Sequence, residues 1–296
     1  MLHSIPLGIL SFSSGGFEVS NSLLFDDATP DYLGIAVDTD DEWDGPDPTS
    51  VRQFTVSFWV KRAEISDNAN LILGQQGTSG GHAIYAGFQA DDTFLVLTED
   101  SGGGAIIARA TTRVFRDPHA WYHIHFTMDS NLVSSDNSCR VYVNGVEETS
   151  FGTKTNPSAA SSGARPDLTF LNKTKQLYIG RFYTSTSTTL TGYLAQLVVI
   201  DGRALAPTGI TGEFDSNGVW RPVDITKTLN NNLTLKKTDR TAGSAIGDMT
   251  DSTAGNNLAA AFDGTFGGND GANNATKRGS VSNAFVGKNW GSGGER

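Results

Sequence analysis

The residues of this sequence best able to do chemistry are acidic, and they crowd into one stretch. Asp38, Asp40, Asp41, Glu42 and Asp44 lie close together just ahead of Gly45. Carboxylate oxygens at alternate positions are the ligands a hard cation such as Ca2+ takes, and Asp40-x-Glu42-x-Asp44-Gly45 imitates the start of an EF-hand loop. The likeness stops at its far end: Val51 stands where the bidentate glutamate belongs, and Pro46 and Pro48 disturb the turn. The stretch reads first as a solvated acidic loop, with Asp40, Glu42 and Asp44 as the candidate Ca2+ ligands. His123 and His125 form a second constellation, since side chains two apart on a strand share a face and come within reach of one ion. No third His or Cys ligand lies nearby in the sequence, so packing or surface histidines are the expected outcome.

Catalysis finds less support. Glycoside hydrolysis needs two carboxylates set across one bond, and no strand carries a Glu-x-Asp-x-x-Glu arrangement. Glu147-Glu148 follows a turn and reads as an exposed edge, while Glu99-Asp100 ends a strand before Ser-Gly-Gly-Gly. The glycine clusters at 102–104 and 267–268 lack the helix that a phosphate cradle needs. Cys139 is the only cysteine, which excludes an intramolecular disulfide; it is expected as a small apolar residue opening a strand over 139–143. Sugar rings stack on aromatic faces, and Trp43, Tyr85 and Tyr183, in or near predicted loops, are candidates for that role. Trp59 and Trp121 are expected in the core or on a sheet face.

These residues must be positioned by strands. FTVSFWVKR at 54–62, WYHIHFTMD at 121–129, RVYVNGVEE at 140–148 and LTGYLAQLVVIDGRAL at 190–205 alternate apolar and polar residues at period two, the pattern of a strand with one face buried. Phe54, Val56, Phe58 and Val60 fall on one face; Thr55, Ser57 and Trp59 fall on the other. Tyr122, Ile124, Phe126 and Met128 make a matching apolar face. Asn144-Gly145 tolerates positive φ at both positions and suits a type I′ hairpin turn, and Asp201-Gly202 offers the same chemistry. Further strands are expected near 71–73, 83–88, 93–98, 105–108, 168–171 and 176–182. Residues 149–165, rich in Ser, Thr, Gly and Pro, are expected to form a long exposed loop.

In this order the four segments resemble the concanavalin A-like, laminin G-like jelly-roll domains. The resemblance spans residues 21–208 and implies an all-β, antiparallel sandwich. Residues 1–20 would be an N-terminal arm or first strand, 209–240 a connector, and 241–296 a Gly/Asn-rich C-terminal β region. Within that last region LAAAFDGT at 258–265 and SNAFVGKNW at 282–290 resemble the opening of a discoidin-like domain. SNSLLFDD at 20–27, the 54–62 strand and GEFDSNGVWRPVDI at 212–225 resemble bacteriophage structural and tail-fibre proteins that carry laminin G-like domains.

Bulk properties narrow the class. A net charge of −10 without a basic stripe excludes phosphate-backbone binding, which needs clustered Lys and Arg. The opening MLHSIPLGIL has no Lys or Arg and is broken by Pro6 and Gly8, so it makes a poor signal peptide and is too short to span a membrane. A surface-type domain with no disulfide and no signal is expected to be made and assembled inside a cell, as virion proteins are in the host cytoplasm. The expected function is a non-enzymatic structural or adhesion component of a tailed bacteriophage virion: a head or tail fibre, or a decoration protein. It would work as a homo-oligomer, most simply a trimer, with other virion proteins and a host surface glycan as partners. A calcium-assisted carbohydrate-binding module is the alternative reading, and a polysaccharide-cleaving enzyme the third.

Overall fold

The computed structural model describes residues 17, 19, 22–25, 32–35, 53–65, 70–76, 82–100, 102–159, 162, 168, 177–182, 188–201, 203–224, 265–267 and 276–278. Its strands in chain order are β1 (Ser22–Phe25), β2 (Tyr32–Ile35), β3 (Gln53–Arg62), β4 (Asn70–Gln76), β5 (His82–Phe88) and β6 (Thr93–Glu99). Then come β7 (Ala105–Val114), β8 (Tyr122–Asp129), β9 (Cys139–Val143), β10 (Val146–Glu147), β11 (Phe151–Thr155) and β12 (Leu177–Ile179). The series ends with β13 (Gly192–Asp201), β14 (Glu213–Phe214), β15 (Trp220–Arg221), β16 (Thr265–Gly267) and β17 (Thr276–Arg278). Among the described residues the one helical piece is a 3-10 turn, Asp136–Ser138, capped by the Ser135 hydroxyl.

The strands form two antiparallel sheets, one of seven strands in the order β10-β9-β8-β3-β13-β1-β17 and one of eight in the order β11-β7-β6-β5-β4-β12-β2-β16. Alternation decides what lies between them. Phe54, Val56, Phe58 and Val60 of β3 and Ile124, Phe126 and Met128 of β8 are wholly buried. They meet Ile84, Ala86, Phe88, Phe94, Val96 and Ile107 from the facing sheet. Phe94 bridges the layers, its ring 6.3 Å from Phe58, 5.6 Å from Phe88 and 6.3 Å from Phe126. Each of the Val, Ile, Phe and Met side chains contributes about 1.5–3 kcal/mol on burial. The sandwich is thus the all-β jelly-roll architecture expected from the strand pattern.

Local rules hold at the turns. Asn144 (φ 49°) and Gly145 (φ 77°) both take positive φ between β9 and β10, the requirement of a type I′ turn. Gly145 meets a second demand, because a Cβ there would lie 2.2 Å from the Trp220 ring. Cys139 opens β9 and is buried as expected, and burial pushes its thiol up to about 12.

Two expectations are corrected. Within the stretch 149–165, residues Phe151–Thr155 are no loop: they form β11, which pairs with β7 at the end of the eight-stranded sheet. As an edge strand it needs only backbone hydrogen bonds and carries its Gly, Thr and Lys side chains outward. Glu148 is not an exposed edge residue; its carboxylate is 8 % exposed and pairs with Arg113 of β7. Of the N-terminal twenty residues all but Phe17 and Val19 lie outside the described residues. Of 241–296, only β16 and β17 are described. They pair with β2 and β1 respectively and widen each sheet by one strand.

Among the described residues the two buried arginines are held by oxygen atoms. Arg62 (1 % exposed) and Asp92 (0 %) pair at 3.0 Å, Arg62 also donates to the Phe115 carbonyl at 2.6 Å, and Arg116 reaches Asp92 from the surface at 2.8 Å. Burial lowers the Arg62 guanidinium's pKa, and Asp92 opposes that fall. Arg109, equally buried, donates instead to the oxygens of Ala108, Thr155, Asp136 and Asn156, tying β7 to the loop beyond β11.

Candidate functional site

The two outer faces of the sandwich are finished differently. On the seven-stranded sheet, residues 203–224 run back across β3, β8 and β13 as a strap. Thr55 donates its hydroxyl to the Arg203 carbonyl (2.7 Å) and accepts from the Leu205 N–H (2.9 Å); Gln196 donates to the Val223 carbonyl (2.8 Å). Trp220, on β15 of the strap's own hairpin, packs its ring 5.5 Å from His123 and 4.9 Å from Phe214. A Cβ on Gly212 would fall 2.3 Å from that ring, so a glycine is needed there as well.

His123 and His125 lie under this strap. They share a face as strand parity requires, with ring centroids 6.3 Å apart, and both are wholly buried. The Leu205 carbonyl can only accept, so His125 carries its proton on Nε2 (2.8 Å), leaving Nδ1 to accept from the Thr211 hydroxyl (2.9 Å). Both ring nitrogens of His125 are therefore engaged, and the pair cannot close on an ion. His123 Nε2 meets the Ser57 hydroxyl at 2.8 Å and its ring stacks near Trp59 at 4.9 Å. These are packing histidines that bind the strap to the sheet.

Burial makes them pH-dependent. Loss of hydration, reinforced for His123 by its neighbour His125, pushes the His123 imidazolium well below 6.5. Loss of hydration takes His125 down to about 4, against a small opposing effect of the Leu205 hydrogen bond. Between about pH 6.5 and 4 the unfolded chain binds protons that the folded chain refuses, so stability should fall as pH falls through that window. From 6.5 to about 4 the effect for His125 alone is roughly 3 kcal/mol. Urea unfolding followed from about pH 7 to 4.5 should show this slope, and His125→Gln should flatten it. An unchanged slope in that variant would contradict the assignment.

The eight-stranded sheet presents a different surface. Cross-strand register sets Gly34, Tyr178, Gly74, Tyr85, Leu97, Ala108 and Thr155 in one transverse row, each opposite the next, on the face turned away from the core. Tyr85 and Tyr178 are thus two strands apart with a glycine between them. Just past β12 the Phe182 ring sits 6.1 Å from Tyr85, and the Arg181 guanidinium lies over Tyr32 at 3.5 Å and near Tyr178 at 5.0 Å. Gly74 allows this crowding, because a Cβ there would meet Leu71 at 2.7 Å and Phe182 at 2.8 Å. Burial raises the Tyr85 phenol and keeps it a neutral hydroxyl. Tyr178 is buried at 8 % exposure, while Tyr32, Tyr85 and Phe182 are half-buried on this face; partly exposed rings beside small residues are groups on which a polyhydroxylated ligand can stack its C–H faces while hydrogen-bonding at its edges.

The sequence candidates scatter against this geometry. Asp40, Glu42, Asp44, Trp43 and Tyr183 lie outside the described residues; Tyr85 lies within β5 rather than a loop; Trp59 is on the strap side. Trp121 is 38 % exposed, with Tyr193 at 6.4 Å. Tyr32, Tyr178, Arg181 and Phe182 were not signalled by any motif. Among the described residues no three His, Cys, Asp or Glu side chains converge as a metal set. Residues 77–81 have Gly-x-Ser-x-Gly spacing and lie outside the described residues, but the next element is strand β5, antiparallel to β4, where a nucleophile elbow needs a helix.

A two-sheet antiparallel sandwich with a strap across one outer face is an architecture of the jelly-roll class. Residues 34–211 match the family described as the concanavalin A-like lectin/glucanases superfamily, in its laminin G-like branch, and the chain belongs to that superfamily. Curated protein sequences offer no match. Among solved structures it is similar to a native heptameric SAP-like pentraxin from Limulus polyphemus, at 14% identity over 62% of this chain and 77% of the other, TM-score 0.40. It is also similar to domain 4 of AbnA, a GH43 extracellular arabinanase from Geobacillus stearothermophilus in complex with arabinotriose (18% identity, 53% and 64% covered, TM-score 0.36). Trypanosoma rangeli sialidase is a third (19% identity, 52% of this chain, 21% of the sialidase, TM-score 0.34). Likeness at this level carries no functional argument.

Proposed function

We propose that this chain is a non-catalytic adhesion and assembly component of a tailed bacteriophage virion, contacting host surface glycan through the outer face of the eight-stranded sheet. The observation that carries the contact surface is the contrast between the two faces: one closed by the strap, the other carrying the half-buried rings of Tyr32, Tyr85 and Phe182. The virion assignment rests on the stretches at 20–27, 54–62 and 212–225 that resemble phage structural proteins. Two of them, β3 and the strap hairpin, meet in the structure at Trp59, His123 and Trp220. Against catalysis stands the inventory of the glycan face: across all eight strands of that sheet Glu99 is the single carboxylate, where hydrolysis needs two. A homo-oligomer, taken as a trimer, would multiply weak sugar contacts through avidity. Calcium held by Asp40, Glu42 and Asp44 belongs to the same reading as an aid to glycan binding.

The test is the composition of purified particles of a phage that encodes this chain. Antibody to the chain should decorate the particle surface by electron microscopy, and its peptides should appear in the particle at a copy number divisible by three. Full recovery of the chain in the soluble fraction, away from particles, would overturn the virion assignment.

A further inference from the structure

We infer that the strap, residues 203–224, is a latch that lifts off the seven-stranded sheet in mild acid while the sandwich beneath it stays folded. Lifting uncovers Trp59 and His123 beside the already exposed Trp121. The inference concerns the face opposite the glycan contact and does not depend on it.

The strap is folded on itself and tied to the sheet by side chains. Its backbone hydrogen bonds are internal: Ile210 and Thr211 donate to the Pro207 carbonyl, Gly209 to Gly212, Gly218 to Asp215 and Asp215 to Val219. Its two strands, β14 and β15, pair with each other in a sheet of their own. Among the described residues no backbone hydrogen bond joins the strap to β3, β8 or β13. The ties are Thr55 to Arg203 and Leu205, Gln196 to Val223, and His125 to Leu205 and Thr211, with Trp220 laid against His123. The apolar side chains that hold it down are Trp220, Val223, Leu205 and Ile210, while Phe214 and Val219 are each 46 % exposed. Lifting therefore leaves both sheet ladders intact. A lone two-stranded hairpin is marginal in water, so the strap's own amides exchange once it is off the sheet.

Acid acts on these ties. An imidazolium at His123 would carry an N–H at Nδ1, which is buried with no hydrogen-bond partner. An imidazolium at His125 would turn Thr211 from donor to acceptor, leaving the hydroxyl proton of that wholly buried residue without an acceptor among the described residues. Lifting hydrates both rings, so protons bind the open form in preference to the closed one. The groups around the pair do not offset this. The two rings face each other at 6.3 Å, and Tyr142 of β9 faces His125 at 5.6 Å with its phenol raised by burial and neutral. Past Tyr142, Arg140 lies 3.5 Å from Glu147; on the strap, Arg221 pairs with Asp215 at 3.1 Å. Lys61 of β3, Asp129 of β8, and Arg203, Glu213 and Asp224 of the strap are the other charged groups nearby in these elements. The imidazole nitrogens bond Ser57, Thr211 and the Leu205 carbonyl, so among the described residues no carboxylate is placed to hold an imidazolium in the closed form.

The test is hydrogen exchange of the full chain, followed by mass spectrometry between about pH 7 and 5 and corrected for the intrinsic exchange rate. With His125 at its ordinary pKa when open and at about 4 when closed, the open-to-closed ratio rises about twentyfold across that range, and further with the share of His123. Peptides spanning 203–224 should lose protection by at least that factor, while peptides from β3 and β8 keep theirs, and return to neutral pH should restore the strap. His125→Gln, whose amide donates to the Leu205 carbonyl and accepts from Thr211 without titrating, should remove the twentyfold part. The wild-type comparison needs no variant, so it stands even where His125→Gln folds poorly. Loss of protection in the strap and in β3 and β8 together would overturn the latch, since acid would then be unfolding the whole sandwich. Unchanged protection of the strap, or an undiminished acid effect in a folded His125→Gln, would overturn it as well.

Discussion

Trp220→Ala should lower the stability of the sandwich by about 3–5 kcal/mol, the range for removing a large buried aromatic side chain. Trp220 is 7 % exposed and lies at the centre of the strap's contact with the sheet, over Gly145 and Gly212, beside His123, and against Phe214. Its loss empties a space that two glycines have been shaped to leave, and nothing adjacent can fill it without backbone movement. The same change admits water to His123 and His125, so their imidazoles should titrate closer to 6.5 and the acid-side loss of stability should shrink. Denaturant unfolding measures the first effect and its pH dependence the second. Trp121→Ala, at a 38 % exposed position, serves as the control and should cost much less. Equal losses in the two variants would mean that the strap contributes little to holding the fold.

Asp92→Asn should cost about 3–5 kcal/mol, as breaking one side of a buried ion pair does. The substitution keeps shape, and asparagine accepts the positive φ of 67° found there. It leaves Arg62, 1 % exposed and stacked 4.6 Å from Phe88, without its buried counter-charge. Arg62→Met in the same chain removes the uncompensated charge, so the double variant should recover a large part of the loss. Urea midpoints of the four proteins in the cycle give the coupling directly. A fully additive cycle would show that the pair at 3.0 Å contributes no interaction of its own.

Strands β3, β8 and β9 were legible from the sequence because one face of each meets the core, so period two is written into Phe54-x-Val56-x-Phe58 and Ile124-x-Phe126-x-Met128. The β9–β10 turn was legible because Asn-Gly has few other uses. β11 was not, since an edge strand makes backbone hydrogen bonds and its side chains face solvent, which leaves a loop-like composition. Glu148 was misread for a related reason: Arg113, its partner, is 35 positions away and reaches it only through the pairing of β7 with β11. The parity of His123 and His125 was readable, but not their burial, because the cover comes from a strap some eighty residues later. The outer face of the eight-stranded sheet is the extreme case. Gly34, Gly74, Tyr85 and Tyr178 become neighbours only through sheet register, and no local spacing announces them.

The central claim, adhesion without cleavage through the eight-stranded face, is tested most directly by one experiment. Host surface polysaccharide is incubated with the full chain, and co-sedimentation and new reducing ends are followed in the same sample. The account predicts retention of the chain on the polysaccharide, loss of that retention in Tyr85→Ala, and no rise in reducing ends over prolonged incubation. A steady release of reducing ends by the wild-type chain would contradict it.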